Sequence, residues 1–276
     1  MDIGVFTTRH LPALRELSLS FRWPHTVDDL AFALRTGRGY AALERGELIG
    51  SCFTWQFGDS VASLGLLLVR QDRQGQGLGR VLFRHAMKEL SGRSVLLHAT
   101  RMAASLYESE GFAVCGEVRQ FHGVVASNGQ PSGRCSTFDP DHEALADALS
   151  QADLGAVGYD RCSVLGPAIE SGSLNVLGDA QTPAAIAVTR PFGRGSVIGP
   201  VLARTCEDAE RLISDVALAH QGSFVRVDIT DAFADTEWLN RLGLQEVDHV
   251  IAMANAPLPE GTGKLHRYAL IGHAYG

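Results

Sequence analysis

The sequence predicts an α/β (α+β) chain of two similar domains in tandem. Each is expected to be a mixed, mostly antiparallel sheet flanked by helices, the second a degenerate copy of the first. Three observations carry this reading. The apolar run 61–69 leads through a glycine-rich loop, Gln74-Gly75-Gln76-Gly77-Leu78-Gly79-Arg80, into the amphipathic run 78–90, which is the order strand, loop, helix. The stretch 127–141 concentrates Ser, Asn, Gly, Pro and Asp, with Asn128-Gly129 and Pro131-Ser132-Gly133, and separates two parts that both carry strand and helix patterns. The second part then repeats the order of the first in weakened form.

In the first part, Leu11, Leu14, Leu17 and Phe21 fall near helical spacing and predict a first helix. Thr26-Val27-Asp28-Asp29 reads as a capping-box start for a second, which Gly37 stops. Residues 40–44 and 48–57 read as strands joined by the Arg45-Gly46-Glu47 turn, 61–69 and 95–100 as further strands, and 112–125 as the source of two more. In the second part, strand 197–203 and helix 205–219 parallel the central strand and helix. Residues 225–230 parallel 95–100, and 238–244 parallel 106–112. This places the domains at 1–130 and 138–276. The second lacks the working parts: only Arg204 separates its strand from its helix, and Leu239 stands in the place of Tyr107. One domain is therefore expected to bind a phosphate-bearing ligand and the other not.

A chain of 276 residues is long enough for two domains of ordinary size. Its net charge of −7, with no Lys/Arg block, argues against nucleic acid as partner and would suit a cationic amine. Cys52, Cys115, Cys135, Cys162 and Cys206 form no C-x-x-C pair, so neither a structural metal nor a disulfide framework is expected. Residues 1–10 carry no apolar leader and no stretch approaches the length of a membrane span, so a cytoplasmic enzyme without membrane contact is expected.

The loop carries the chemistry. Alternate glycines let backbone N–H groups at a helix start approach an anion, with the helix dipole assisting, and Arg73, Gln74 and Arg80 add donors. The dinucleotide pattern fails because Gly79 comes one residue early, and no Gly-Lys-Ser/Thr follows for a Walker loop. Gln74-x-x-Gly77-x-Gly79 instead resembles the pyrophosphate loop of the GNAT superfamily of acyl-CoA-dependent N-acyltransferases. Leu106-Tyr107-Glu108-Ser109-Glu110-Gly111-Phe112, one strand and one helix later, resembles that family's Leu-Tyr-x-x-x-Gly-Phe element. Nearly the whole chain resembles the tandem-domain group with a YitH-type second domain. The matching features are Tyr159-Asp160-Arg161, Ile198 to Ala203, Val227-Asp228, Tyr268 to Gly272, and Leu97-His98-Ala99-Thr100, where His98 replaces an expected aspartate.

The resemblance implies acetyl-CoA as acyl donor, no metal, and transfer to a primary amine of a small molecule or peptide by direct attack in a ternary complex. It implies cofactor contacts from Leu67, Leu68, Val69, Arg73, Gln74, Gly75, Gln76, Gly77, Leu78, Gly79, Arg80 and Tyr107. The Leu67 N–H would hold the oxyanion, and Val69 the pantetheine amide. Tyr107 would be the general acid for the leaving thiolate, its ordinary phenol pKa of about 10 suiting that donation. An asparagine common at the start of the last helix is missing, with Arg101 in that region. The general base is left open. His98, which alternates with Leu96 and Thr100 beside the cleft, could take a proton directly or through water, or be a histidine satisfied locally. Trp23, His25 and Asp228 are the acceptor-site candidates, while Asp28 and Asp29 read as caps or solvated charges. Neither Cys52 nor Cys206 has a basic partner nearby in sequence. The alternative function is a non-catalytic acyl-CoA-binding sensor. Either a monomer or a homodimer fits.

Overall fold

A computed structural model describes residues 2–126 and 129–276; Met1, Ser127 and Asn128 lie outside the described residues, and with them the start of the 127–141 connection. The first half runs β1 (Asp2–Val5), α1 (Leu11–Ser20), α2 (Val27–Thr36), β2 (Arg38–Glu44), β3 (Glu47–Phe57), β4 (Val61–Val69), α3 (Leu78–Lys88), β5 (Ser94–Ala99), α4 (Ala104–Glu108) and β6 (Ala113–Val124). The second runs β7 (Cys135–Phe138), α5 (Glu143–Val157), α6 (Cys162–Glu170), β8 (Ser173–Leu177), β9 (Ala185–Phe192), β10 (Gly195–Ala203), α7 (Cys206–Ala219), β11 (Phe224–Thr230), α8 (Glu237–Arg241), β12 (Gln245–Ala254) and β13 (His266–Ala269).

Local chemistry explains the boundaries. Thr26 accepts from the Asp29 N–H at 3.1 Å while the Asp29 carboxylate accepts from the Thr26 N–H at 2.7 Å, a reciprocal cap for α2. Arg45 and Gly46 both adopt positive φ, 53° and 85°, as a two-residue hairpin between β2 and β3 requires. Two expectations are corrected. Residues 112–125 supply one long strand, β6, because pairing with β12 over 113–122 and with β11 over 118–124 overlaps and leaves no room for a turn. The connecting stretch 127–141 is not all linker: it contains β7, which pairs with β8 at the sheet edge. β1, which the sequence reading missed, caps the other edge against β2.

Among the described residues the strands form one thirteen-stranded sheet in the order β1-β2-β3-β4-β5-β12-β6-β11-β13-β10-β9-β8-β7. Most neighbours are antiparallel; β4–β5 and β10–β11 are the parallel pairs. The middle of this order is an exchange. β12, from the second half, pairs with β5 of the first (Ile251↔Ala99), and β6, from the first half, pairs with β11 of the second (Val227↔Phe121). The two exchanged strands pair with each other at the centre.

Helices cover both faces. α3 and α4 bury Leu82, Phe83 and Tyr107 against Tyr40, Leu64 and Leu97. On the opposite face, α1 and α2 share one core with α5 and α6 of the second half, through Leu14, Leu30, Trp55, Leu149, Val164 and Tyr275. α7 and α8 cover the second half with Leu212, Ile213 and Leu239. Burial of this apolar surface is the main favourable term for holding the halves together.

Candidate active site

The parallel pairing of β4 with β5 stops at Leu64↔Leu97, although β5 continues to Ala99 and β4 to Val69. The cause is a bulge. Between the pairs Phe53↔Gly65 and Ser51↔Leu68, β4 carries two residues, Leu66 and Leu67, against one on β3. Leu66 sits at φ 47°, a left-handed position that non-glycine residues rarely occupy, and the buried Ser51 Oγ donates to its carbonyl at 2.8 Å. The bulge turns β4 away from β5 and opens a fork. Leu67, half-buried, lies at its lip, and its backbone has no partner strand on the β5 side.

The loop follows directly. Gly75 and Gly77 have φ of 72° and 79°, and a Cβ at either would enter open space rather than meet protein atoms. Gly77 is the N-cap of α3 and no side chain caps that helix, so its first N–H groups are left for another acceptor. Gly79 is ordinary helix, and a Cβ there would touch only Val69 at 3.7 Å. The loop is braced from within: Gln74 Nε2 donates to the Val69 carbonyl at 3.0 Å and Gln76 Nε2 to the Asp72 carbonyl at 3.3 Å. Arg73 bonds Glu44 at 2.5 Å, and Arg80 reaches Ser109 Oγ at 2.9 Å and Glu110 at 3.3 Å. Both arginines therefore brace the loop, although their charge remains beside it. Leu68 and Leu78 turn their side chains into the core, so only their backbone is available to a ligand.

Tyr107 lies on the α3 face of the fork, edge-on to Phe83 at 5.5 Å, in the cluster against which Leu67 and Val69 pack. Burial pushes its phenol pKa well above the ordinary value. The proton is thus firmly held, and Tyr107 is a weaker acid than a solvated phenol.

His98 lies on the other face. Its Nδ1 donates to the His273 carbonyl at 2.7 Å, which fixes the tautomer, and burial with the neighbouring His273 and Arg267 lowers its pKa to about 3. Around it the second half contributes a buried polar cluster. Asp228 and Arg226, alternate residues of β11, form a bidentate pair at 2.8 and 2.7 Å. Burial alone would disfavour the charge on Asp228, but Arg226 and His273 outweigh it and hold the carboxyl below its usual range. His273 Nε2 lies 3.6 Å from Asp228 Oδ1. The Arg226 guanidinium stacks over Phe192 at 4.8 Å, Phe192 meets His25 edge-on at 5.6 Å, and His25 meets Trp23 at 5.9 Å. His25 is kept neutral, its pKa lowered to about 3 by burial first and then by Arg226 and His273, and its Nδ1 lies 2.7 Å from Ser18 Oγ.

The fold thus joins Trp23, His25, His98 and Asp228 into one wall and puts Tyr107 across the sheet from them. Sequence reasoning missed Phe192, Arg226 and His273. The alternation of Arg226 with Asp228 on one strand was a usable signal; no spacing connects Phe192 or His273 to the site.

The second half has its own fork, and it is filled. β10–β11 pairing stops at Ile198↔Val227. β13 then lies between the two strands, pairing with β10 at Val201↔Ala269 and with β11 at Ile229↔Ala269. The Leu270 N–H donates to the Asp228 carbonyl at 2.9 Å, and a Cβ on Gly199 would strike the Leu270 carbonyl. Thr205 caps α7 by accepting from the Asp208 N–H at 3.2 Å, in place of a glycine loop.

A forked parallel strand pair in each half, with a glycine loop at a helix start beside the first, defines a class of acyl-CoA-dependent transferase folds. The acetyltransferase (GNAT) domain family matches twice, over residues 32–128 and 149–266, and the chain belongs to it as an N-acetyltransferase-family protein with two GNAT domains in tandem. It is 27% identical over 281 residues to the N-acetyltransferase YitH of Bacillus subtilis (strain 168), itself described as uncharacterized, covering 97% of this chain and 95% of that one. Solved structures share the fold. A candidate acetyltransferase from Pyrococcus horikoshii superposes with TM-score 0.80 at 16% identity, covering 100% of this chain and 95% of that one. The tandem GNAT protein of the clavulanic acid biosynthesis pathway does so with TM-score 0.60 at 13% identity, covering 93% and 99%. Among the described residues no helix is long and apolar enough to cross a membrane.

Proposed function

We propose that the chain moves an acetyl group from acetyl-CoA to a primary amine of a small molecule or peptide, by direct attack within a ternary complex. The carrying observation is the open β4/β5 fork beside the glycine loop. The pyrophosphate lies on the N–H groups from Gly75 to Arg80, with Gly75 and Gly77 leaving room for it. The pantetheine arm runs along the backbone of Leu67 to Val69. The thioester carbonyl points at the Leu67 N–H, a fixed donor that needs no reorganisation as the oxyanion forms.

The two faces of the fork divide the work. The amine enters from the face that carries Trp23, His25 and Asp228. The thiolate leaves toward Tyr107 on the other. Domain 1–130 is the catalytic one; domain 138–276 binds no acetyl-CoA because β13 occupies the slot a pantetheine arm would need. Its role is to wall the acceptor side.

The test has two arms. Calorimetric titration with acetyl-CoA should give one site per chain, and two would sink the division of labour. A CoA-release screen over polyamines, amino acids, aminoglycosides and lysine peptides should find an acceptor. Binding of acetyl-CoA with no release across the panel would favour the sensor reading instead.

A further inference from the structure

We propose that His273, beside Asp228, is the group that takes the proton from the acceptor amine. This rests on the acetyl-transfer reading above and deepens it. After β13, residues 270–276 leave the second half and cross the first half's fork at its crotch. The last parallel pair there is Leu64↔Leu97, so the next residues, Gly65 and His98, flank the opening. The segment touches both. A Cβ built on Gly65 would lie 3.0 Å from Ala274 Cβ, Ser63 Oγ donates to the Ala274 carbonyl at 3.0 Å, and His98 Nδ1 donates to the His273 carbonyl at 2.7 Å. His273 is thereby pinned by backbone contacts on either side of the opening, on the amine face.

The ring is set up as a base. Its Nε2 is buried, has no hydrogen-bond partner and lies 3.6 Å from Asp228 Oδ1. Its side chain is nonetheless 20% exposed, so the open part of the ring lies away from Nε2. A proton on Nε2 faces the carboxylate and leaves Nδ1 as the acceptor, the arrangement in which a carboxylate orients an imidazole and stabilises its charged form. His98 keeps a free Nε2, but among the described residues no carboxylate lies within ion-pair distance of its ring to stabilise the charged form, as Asp228 does for His273. The groups facing His273 are His98 from β5, Arg226 and Asp228 from β11, Asp248 from β12, and His25 from the stretch between α1 and α2. Arg190 of β9 holds the preceding Ile271 carbonyl at 3.2 Å. Burial and Arg226 favour the neutral ring, and Asp228 and Asp248 favour the imidazolium.

The step balances with groups already named. The amine lone pair attacks the thioester carbon and forms the C–N bond. The N–H proton passes to His273 Nδ1. The tetrahedral oxyanion collapses, the C–S bond breaks with its electron pair on sulfur, and the thiolate takes a proton from Tyr107. His273 and Tyr107 then exchange protons with solvent.

The experiment uses the full chain and whichever panel amine turns over. For His273→Gln we expect kcat to fall roughly 10²-fold with the acetyl-CoA KM within about twofold, the pattern of a lost transition-state interaction. The low-pH limb of the wild-type kcat/KM profile should disappear. His273→Ala should behave alike and recover part of its rate with added imidazole. Asp228→Asn should keep the limb but move it to lower pH. A purely packing role would lower the melting temperature of these variants and leave the pH profile and kcat per folded molecule unchanged, and that result would overturn the proposal. Turnover of an amine with an unaffected His273→Gln overturns this inference alone; no turnover with any amine overturns acetyl transfer and this inference with it.

Discussion

Ser63 Oγ donates to the carbonyl of Ala274 at 3.0 Å, joining residues 211 positions apart in sequence. Ser63 is one residue short of the last parallel pair of β4 with β5, so a segment of the second half is latched at the base of the first half's fork. Tyr275, the next residue, packs edge-on against Trp55 at 4.9 Å and against Phe32 at 5.6 Å. The face of the first half's fork opposite Tyr107 is therefore covered in part by a segment of the second half.

Gly77→Asp should abolish acetyl-CoA binding while the fold persists. The change adds a side chain at φ 79°, where a Cβ now meets nothing, and sets a negative charge at the mouth of α3 where an anion is to bind. Calorimetric titration checks it; unchanged affinity would remove the loop from the site.

Tyr107→Phe should lower kcat roughly 10²-fold with little effect on acetyl-CoA affinity, the usual size of a general-acid contribution. The phenyl ring keeps the packing on Phe83, so stability should hold. A variant near wild-type kcat would leave Tyr107 as a core aromatic.

Separating the halves near Gly129 should leave neither of them soluble. The first half without β12 exposes the open edge of β5, and the second without β6 exposes that of β11. Both also lose partners in the core shared by α1, α2, α5 and α6. Size-exclusion chromatography of each half alone, and of both expressed together, checks this. A soluble first half with full activity would sink the exchange as a structural requirement.

Stability should fall on mild acidification. In the folded chain His25 and His98 stay neutral down to about pH 3. In the unfolded chain each takes a proton near its ordinary value of about 6.5. Below that pH the unfolded state binds more protons, so the stability is present above it and is lost as pH drops toward the folded value. Between pH 7 and 5.5 the loss is about 1 kcal/mol for each ring. Urea midpoints across that range test it, and a flat profile would mean that these rings are not held neutral.

Much of the first half was legible before any coordinates. The bulk of β4, the loop and α3 follow from an apolar run, positive-φ glycines and an amphipathic run, each a local property of the chain. So do the Thr26 cap and the missing loop before α7. The reading failed where pairing decided the outcome. Nothing local in 112–125 says that it is one strand rather than a hairpin, because its two partners, β11 and β12, come about a hundred residues later or more. β7 hid inside a polar connection because an edge strand buries too little to show a period. His98 was placed beside the cleft from alternation, but what its nitrogen bonds to could not be read.

The sequence by itself determined that this chain carries one glycine loop, one tyrosine element and a second half without either, since backbone conformation at glycine and capping at a helix start are short-range effects. Tertiary structure alone decided which strand fills which fork. β12 sits beside β5, and β13 lies in the second fork while residues 270–276 latch the first. Strand pairing is set by hydrogen bonds and side-chain packing between distant segments, and many registers are compatible with the same alternating pattern until the whole sheet closes. The same closure brings His273 to Asp228 and both to the face opposite Tyr107, a meeting of residues that no spacing along the chain encodes.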